Sequence, residues 1–265
     1  MDYRKIKLAA AGPVATVTLA DPATLNAAGL DMVDELIHAL KGLAADPAVR
    51  AVILTGEGRG FCSGANLSDD RTTGVAAEGA PPDLGLALES HYRPLIELLR
   101  GSPVPLVCAV NGVCAGIGVA FALACDLVVA SEGASFILAF RRIGLVPDGG
   151  LTWLLPRLVG KARALEMILL GDAVPARTAE SWGLINQVVA DEALPSAAQG
   201  LAERLAAGPR SLGLMRRLIW ESLDASLAEQ LEAERQAQTE AGRTADFLEG
   251  VRAFREKRPA RFTGS

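Results

Sequence analysis

Apolar and polar positions alternate along this chain in two different ways, and the two patterns predict strands and helices in turn. Short apolar runs rich in β-branched residues indicate strands at residues 5–9, 14–19, 51–55, 106–110 and 126–131. Helical patterns lie at residues 29–45, 84–99, 119–125 and 151–159, and the first has apolar residues three and four positions apart. The first two strands are joined by Ala11-Gly12-Pro13, which predicts a hairpin. This order of elements predicts an α/β fold with parallel strand pairing.

Two parts of the chain depart from that alternation. Residues 68–82 are rich in Asp, Thr, Gly, Ala and Pro without periodicity, which is typical of a loop at the entrance to a site. Beyond residue 200 the patterns are helical, at residues 211–221, 226–239 and 244–257. We therefore divide the chain into a core at residues 1–199 and a C-terminal helical region at residues 200–265, which we expect to make subunit contacts.

Composition excludes several classes of protein. The chain has 265 residues, ample for one large core, and half of them are apolar. Its net charge of −5 argues against sequence-independent binding of nucleic acid, which depends on excess Lys and Arg. Four cysteines show no C-x-x-C spacing and no signal peptide precedes them, so we expect buried reduced thiols in a cytoplasmic protein. No metal-ligand cluster or Walker loop is found, and His38 and His91 are predicted to be satisfied or surface residues.

Residues 105–126 combine several of these signals and hold the strongest candidate chemistry. A buried strand is followed by the turn signal Asn111-Gly112, then by Gly116-Ile117-Gly118, and then by an apolar helix. A glycine-rich bend that opens a helix directs unpaired backbone N–H groups, supported by the helix dipole, at negative charge. This stretch therefore predicts an anion-binding backbone.

Three interpretations of this stretch compete. Residues 101–125 carry no charge and are long enough to span a membrane, but two prolines and four glycines interrupt them. The glycines at 112, 116 and 118 fit a dinucleotide fingerprint, but that fold places them after the first strand, with a Tyr-x-x-x-Lys pair further on. The Tyr-x-x-x-Lys of this chain, Tyr3 to Lys7, lies upstream. The third interpretation is an oxyanion-binding amide, which requires a second donor from elsewhere.

Several motifs together resemble one family, the crotonase or enoyl-CoA hydratase/isomerase superfamily. The motifs are Leu25-Asn26-Ala27, Phe61-Cys62-Ser63-Gly64-Ala65-Asn66-Leu67, Asn111-Gly112 with Gly116-Ile117-Gly118, Ala124-Cys125-Asp126, Gly144-Leu145-Val146-Pro147 and Arg261-Phe262-Thr263-Gly264. They follow the family's order and spacing over essentially the whole chain. The resemblance implies a crotonase-type spiral of β-β-α repeats with a C-terminal helical region that builds homotrimers or dimers of trimers.

The resemblance also implies an acyl-CoA thioester as substrate. Coenzyme A is then part of the substrate, so we expect no separate cofactor, no metal, and no nucleic-acid or membrane partner. Family members form an enolate whose oxygen lies between two backbone N–H groups, which map to Ala65 and Ile117. Losing one such donor typically costs about 3–4 kcal/mol of transition-state stabilisation. Other contacts with the substrate and its CoA map to Leu25, Ala27, Ser63, Asn66, Leu67 and Gly116.

The outcome of the reaction depends on the carboxylates around the enolate. A hydratase of this family holds a water between two glutamates, and the corresponding residues here are Ala120 and Phe140. Neither can take up or release a proton, so efficient hydration is not expected. Asp148 lies where the family's enoyl-CoA isomerases and ring-epoxyphenylacetyl-CoA isomerases place a Glu or Asp base.

One base suffices for a double-bond shift, and Asp148 is the predicted base. An apolar surround of Leu145, Val146 and Trp153 would raise its pKa. Because Pro147-Asp148-Gly149 is also a turn signal, Asp148 could instead cap the following helix. We predict an enoyl-CoA isomerase; the alternatives are an enoyl-CoA hydratase and a catalytically silent acyl-CoA-binding oligomer.

Overall fold

The computed structural model describes residues 2–73 and 83–265, and within them ten strands form two sheets. The strands are β1 (Ile6–Ala11), β2 (Val14–Leu19), β3 (Ala51–Gly56), β4 (Gly60–Cys62), β5 (Leu106–Val110), β6 (Val113–Ala115), β7 (Leu127–Ser131), β8 (Ser135–Ile137), β9 (Ala173–Pro175) and β10 (Gln187–Val189). The larger sheet has the order β1-β2-β3-β5-β7-β10, and the smaller has the order β4-β6-β8-β9. One end pair of each sheet, β1–β2 and β8–β9, is antiparallel, and the other pairs are parallel.

Helices cover the sheets and make up most of the C-terminal part. They are α1 (Leu30–Ala45), α2 (Asp70–Thr73), α3 (Gly85–Ala87), α4 (Arg93–Arg100), α5 (Ile117–Leu123), α6 (Leu151–Leu158), α7 (Gly160–Leu170), α8 (Ala176–Ser181), α9 (Leu194–Ala206), α10 (Ser211–Ser222), α11 (Leu227–Ala241) and α12 (Ala245–Glu256). A π-helical segment, Leu88–Tyr92, joins α3 to α4 and makes one continuous helical element.

Each repeat of the core contributes one strand to each sheet before the chain turns into a helix. The pairs are β3 with β4, β5 with β6, and β7 with β8, and helical segments follow each pair. Equivalent strands of successive repeats lie side by side, so β3, β5 and β7 pair in parallel in one sheet, and β4, β6 and β8 in the other. The predicted spiral of β-β-α repeats is confirmed.

Most of the longer elements lie where the hydrophobic pattern predicts them, but the helices α7 and α9 were not predicted. The predicted hairpin is formed by β1 and β2, in which Ala11 pairs with Val14 across a two-residue turn. The first predicted helix is α1, which ends at Ala45 as expected, and its apolar residues are buried. The three-residue strands were not predicted, because three residues are too few to show a period. In particular, Val113–Ala115 was interpreted as part of a bend and forms β6.

The predicted loop at residues 68–82 is only partly confirmed. Asp70–Thr73 is the helix α2, so the expectation of irregular structure is wrong there. Asp69 initiates this helix, because its carboxylate accepts the backbone N–H of Arg71 at 3.0 Å and its carbonyl accepts that of Thr72 at 2.8 Å. Residues 74–82 of the predicted loop lie outside the described residues.

The C-terminal region is helical, as predicted, but its first helix belongs to the core in packing. Helix α9 buries Leu194, Ala198, Ala202 and Ala206 against residues of β3, β5 and β7. The predicted boundary between residues 199 and 200 falls inside this helix, and the division into two regions stays a prediction. Within the described residues, no helix combines the length and apolar character required to cross a lipid bilayer.

The four cysteines are buried with free thiols, as predicted. Cys62 and Cys114 lie in β4 and β6, where they pair across the smaller sheet. Burial raises the pKa of the Cys62 thiol to about 11, so it stays protonated and behaves as a small apolar side chain. These residues therefore belong to the packing of the core.

Candidate active site

Two glycines bring the candidate oxyanion donors together at the ends of neighbouring strands. Gly64 follows β4 and Gly116 follows β6, and their backbones approach so closely that a Cβ added to Gly116 would lie 3.5 Å from the Cα of Gly64. Both have positive φ angles, 110° and 52°, which residues with a side chain rarely adopt. The amides of the residues that follow, Ala65 and Ile117, therefore leave from two backbone segments that are in contact with each other.

The direction of the Ala65 amide follows from its pairing with Ala28. Ala28 and Ala65 form an isolated parallel bridge, in which Ala28 N–H donates to Gly64 O at 2.7 Å and Asn66 N–H donates to Ala28 O at 3.4 Å. In this pattern the bonds to Ala28 come from the residues flanking Ala65, so the N–H of Ala65 points to the opposite side. Among the described residues, none accepts a hydrogen bond from that N–H.

Ile117 is the first residue of α5, so its N–H is one of the unpaired donors at a helix start. Gly116 N–H donates to Ile137 O at 2.9 Å and holds the bend against β8. Gly118 lets α5 approach β4, because a Cβ there would lie 2.7 Å from Cys62 Cβ. The two amides predicted to act together are therefore adjacent and available.

The turn at Leu25-Asn26-Ala27 lies beside β4 and is held by its asparagine. Leu25 and Asn26 have φ angles of 54° and 58°. The buried side-chain amide of Asn26 donates through Nδ2 to Glu57 O at 3.0 Å and Gly60 O at 2.8 Å, and it accepts Asp21 N–H through Oδ1 at 2.8 Å. Asparagine suits this position because it tolerates a left-handed backbone while making all three bonds.

The remaining residues predicted to contact CoA lie on the same side of β4. Ser63 donates through its hydroxyl to Thr24 O at 2.8 Å and through its N–H to Leu25 O at 3.0 Å, so its side chain fastens the Leu25 turn. Asn66 accepts Ser68 N–H at 3.1 Å, and the Leu67 side chain is exposed. The structure brings these predicted contact residues together around one edge.

Asp148 lies beside α5, as the contacts of its neighbour in the chain show. A Cβ added to Gly149 would lie 2.5 Å from Ile117 Cδ1 and 2.6 Å from Ala120 Cβ, so the backbone after Asp148 touches the first turn of α5. Asp148 Oδ1 is buried and has no hydrogen-bond partner among the described residues. Burial raises the pKa of Asp148 to about 6. A carboxylate with these properties can act as a base near neutral pH.

The structure corrects two expectations about Asp148. Its side chain does not cap the following helix, because α6 has Gly150 as its N-cap and Leu151 N–H donates to the backbone carbonyl of Asp148. The expected apolar surround is also wrong in part, since Leu145 is 38% and Val146 78% exposed. The contact of Gly149 with Ile117 and Ala120 places Asp148 against α5 instead.

The two positions that carry glutamate in hydratases are apolar and enclosed. Ala120 is fully buried on α5, and Phe140 is 7% exposed. The Phe140 ring faces the Gly116 bend, where its Cζ would lie 3.9 Å from a Cβ added to the glycine. Of the three positions considered as a catalytic acid or base, residues 120, 140 and 148, Asp148 is therefore the one that carries a carboxylate.

Sequence analysis missed Tyr92, whose hydroxyl donates to Ala28 O at 2.6 Å. A single tyrosine in an amphipathic helix gives no signal of such a contact. The histidines were predicted to be satisfied or superficial, and this is confirmed: His38 Nδ1 lies 2.9 Å from Tyr3 Oη, and His91 Nδ1 lies 2.7 Å from Ser90 Oγ. No group of three or more His, Cys, Asp or Glu within residues 2–73 and 83–265 is arranged to hold a metal ion.

Comparison with known proteins identifies the class to which this fold and these motifs belong. The family described as Enoyl-CoA hydratase/isomerase matches residues 9–265. The chain therefore belongs to the enoyl-CoA hydratase/isomerase family and has the crotonase fold. This confirms the resemblance inferred from the motifs.

Individual relatives differ in the reaction that they are named for. The 1,2-epoxyphenylacetyl-CoA isomerase of Escherichia coli K12 is 46% identical over 252 residues, which cover 95% of each chain. A Rhodobacter capsulatus protein named "Probable enoyl-CoA hydratase" is 41% identical over 265 residues, the whole of both chains. The crystal structure of an enoyl-CoA hydratase from Bacillus anthracis has a TM-score of 0.91 at 31% identity, covering 99% of this chain and 100% of that one. Family membership alone thus leaves isomerase and hydratase open.

Proposed function

We propose that this enzyme is an enoyl-CoA isomerase that moves a carbon–carbon double bond within an acyl-CoA thioester. The observation that supports this most directly is Asp148: a half-buried carboxylate with one buried oxygen that has no partner among the described residues and with a raised pKa, next to α5, with no role as a helix cap. The similarity to an isomerase at 46% identity points in the same direction. Asp148 would act as the single base.

The proposed reaction needs one proton to leave and one to return. The Asp148 carboxylate takes a proton from the carbon next to the thioester of a 3-enoyl-CoA. The electron pair of that C–H bond moves into the conjugated system and places negative charge on the thioester oxygen, where the N–H groups of Ala65 and Ile117 stabilise it. Asp148 then returns the proton two carbons along on the same face. The product is a 2-enoyl-CoA, and no oxidant, reductant or separate cofactor is consumed.

Binding of the CoA part is assigned to the edge beside β4. Leu25, Ala27, Ser63, Asn66 and Leu67 lie around that edge, and Gly116 gives the acyl end close access to the backbone. Positive φ angles at Leu25 and Asn26 turn the chain at this edge. The edge therefore offers backbone groups and apolar side chains to a ligand. The contacts would therefore recognise CoA with little dependence on the acyl group.

Hydration is the second candidate, because close relatives carry a hydratase name. Ala120 and Phe140 provide no group to hold and deprotonate a water, so we rank it below isomerisation. An acyl-CoA-binding oligomer without turnover is the third candidate.

The experiment that separates these candidates compares Asp148→Asn with the wild type on a 3-enoyl-CoA and on crotonyl-CoA. We expect the wild type to move the double bond, and the variant to lose at least about a hundredfold in kcat, which is the usual contribution of a general base. Acyl-CoA affinity, measured by calorimetry, should be nearly unchanged. Asp172→Asn makes the same chemical change at an exposed aspartate and should be fully active. Full activity in Asp148→Asn would contradict the proposal, as would hydration of crotonyl-CoA without isomerisation.

A further inference from the structure

The orientation of the Ala65 N–H is fixed by a hydrogen bond to the carbonyl of the same peptide group, Gly64 C=O. Gly64 C=O and Ala65 N–H belong to one trans peptide and point in opposite directions. Gly64 O accepts the N–H of Ala28 at 2.7 Å, so the position of Ala28 determines where the N–H of Ala65 is directed. Ala28 is fully buried and lies just before α1.

Ala28 is in turn held by the side chain of Tyr92. The Tyr92 hydroxyl donates to Ala28 O at 2.6 Å, while the other donor to that carbonyl, Asn66 N–H, is at 3.4 Å. The short bond therefore contributes more than the long one to keeping Ala28 in place. Tyr92 ends the π-helical segment and is only 3% exposed, so its hydroxyl has little freedom to move.

We propose that Tyr92 is a positioning residue for the oxyanion site, acting through Ala28 and Gly64 on the amide of Ala65. This inference rests on the proposed function, in which that amide receives charge from the thioester oxygen. Tyr92 does not touch the reacting atoms in this role. Removing its hydroxyl leaves Ala28 O with only its long bond and lets the Gly64–Ala65 peptide rotate.

The Tyr92 hydroxyl keeps its proton while Asp148 works as a base. Burial raises the pKa of Tyr92 above its usual range, and the nearby charge of Asp148 adds to the shift. Its single proton is committed to Ala28 O, so Tyr92 is not available as a catalytic acid. The bond that positions the amide is thus retained at neutral pH.

The test uses two CoA ligands that differ in the oxygen recognised by the amides. Acetoacetyl-CoA forms an enolate and presents a negatively charged thioester oxygen, whereas S-butyl-CoA is a thioether and lacks the thioester carbonyl oxygen. For Tyr92→Phe we expect the Kd of acetoacetyl-CoA to rise about tenfold, the size of a lost hydrogen bond, with that of the thioether unchanged. For the 3-enoyl-CoA, kcat should fall while KM stays the same. Because both affinities are measured on one preparation, their ratio does not depend on the fraction of folded protein.

Tyr3→Phe is the matched control, since the Tyr3 hydroxyl also makes a hydrogen bond, with His38 Nδ1 at the protein surface. It should leave both affinities and kcat unchanged. If Tyr92→Phe binds both ligands as the wild type does, or weakens both equally, the positioning role is overturned while the proposed function stands. If the wild type itself does not prefer acetoacetyl-CoA over the thioether, the amides do not bind the oxyanion, and the proposed function fails first.

Discussion

At the scale of single residues, the environment of Asp148 has consequences for pH dependence. The carboxylate has to be ionised to accept a proton, and burial raises its pKa to about 6. We expect kcat/KM for the isomerisation to rise with pH through about 6 and to level off above 7. Initial rates between pH 4.5 and 8.5 measure this. A rate that is constant from pH 5 to 7 would contradict the assignment.

The same burial lowers the stability of the folded protein as pH rises, whereas the rate of isomerisation is expected to increase. Because the pKa of Asp148 is higher in the folded state than in the unfolded chain, the unfolded chain loses its proton first as pH rises. The free energy of unfolding therefore falls between about pH 4 and pH 6, by at most on the order of 3 kcal/mol for this one group. Asp148→Asn should be more stable than the wild type at pH 7.5 and about equally stable below pH 4, as urea unfolding would show.

Gly149 and Gly150 offer a matched test of how closely Asp148 must be placed. Both have positive φ angles, 58° and 80°, so an alanine at either costs roughly 1–2 kcal/mol of backbone strain. A Cβ at Gly149 would also lie within 2.6 Å of Ile117 and Ala120 side-chain atoms, whereas one at Gly150 meets nothing within 4 Å.

We therefore expect Gly149→Ala to lower kcat far more than Gly150→Ala, because the clash moves Asp148 away from α5. A displacement of about 1 Å at a reacting group can cost about a hundredfold in rate. Steady-state kinetics on both variants, with melting temperatures to compare their folding, would measure it. Equal losses in kcat would show that the distance between Asp148 and α5 is not critical.

The sequence allowed candidate catalytic residues to be proposed where a motif surrounds them. Ala65, Ile117 and Asp148 are each next to a glycine or proline turn, whose backbone requirements leave a mark in the sequence. Tyr92 was missed because its contact with Ala28 joins residues 64 positions apart. The predicted environment of Asp148 was partly wrong for a similar reason. Helix α5 packs against this residue, and its neighbours in the sequence do not reveal which helix lies opposite.

At the scale of elements, one buried ion pair ties α10 to the core. Arg216 Nε donates to both oxygens of Asp126, at 3.0 and 2.9 Å, and its guanidinium also donates to the carbonyls of Leu99 and Arg100 at the end of α4, each at 2.9 Å. Asp126 in turn accepts Leu106 N–H at 2.8 Å at the start of β5. The aspartate of the Ala124-Cys125-Asp126 motif therefore joins three elements.

Replacing Arg216 by methionine keeps much of its length and removes its charge and donors. Because Asp126 would remain buried without its cation, we expect a loss of about 3–5 kcal/mol in the free energy of unfolding. Arg217→Met removes an exposed pair with Glu240 and should change stability by less than about 1 kcal/mol. Denaturant unfolding of the two variants gives the comparison; similar values would mean that Arg216 does not hold α10.

Most long elements were predicted, apart from the helices α7 and α9, and the short ones were missed. Helix α1 has four turns of apolar residues on one face, so its pattern is clear in the sequence. Strands β4, β6 and β8 have three residues each, and what defines them is pairing between repeats about twenty to fifty residues apart. Helix α2 was missed within the predicted loop for a related reason, because a single helical turn that Asp69 starts shows no period in the sequence.

At the scale of the whole molecule, the last three helices leave apolar side chains exposed. Ile219 is 67%, Leu248 62% and Phe254 85% exposed, and a cavity of about 740 Å³ lies among Met215, Phe247 and neighbouring residues. An apolar surface of this kind is typical of a protein–protein interface. We propose that it forms the contact in a homotrimer or a dimer of trimers.

Light scattering on the purified protein should then give three or six times the mass of one chain. Phe254→Asp places a charge in the proposed contact and should shift the protein to smaller species. Leu8→Asp, at an exposed apolar residue of β1, should leave the mass unchanged. A wild type that is monomeric at micromolar concentration would contradict the proposal.

The approach of Gly64 to Gly116 has a consequence for how such a gene can change. The groups proposed to bind the thioester oxygen are the backbone N–H groups of residues 65 and 117, which every substitution except proline retains. A substitution at residue 120, 140 or 148 would instead alter which proton moves and where it goes. Lineages built on this scaffold can therefore exchange one transformation for another through a few substitutions at these positions while they keep the same contacts with the thioester.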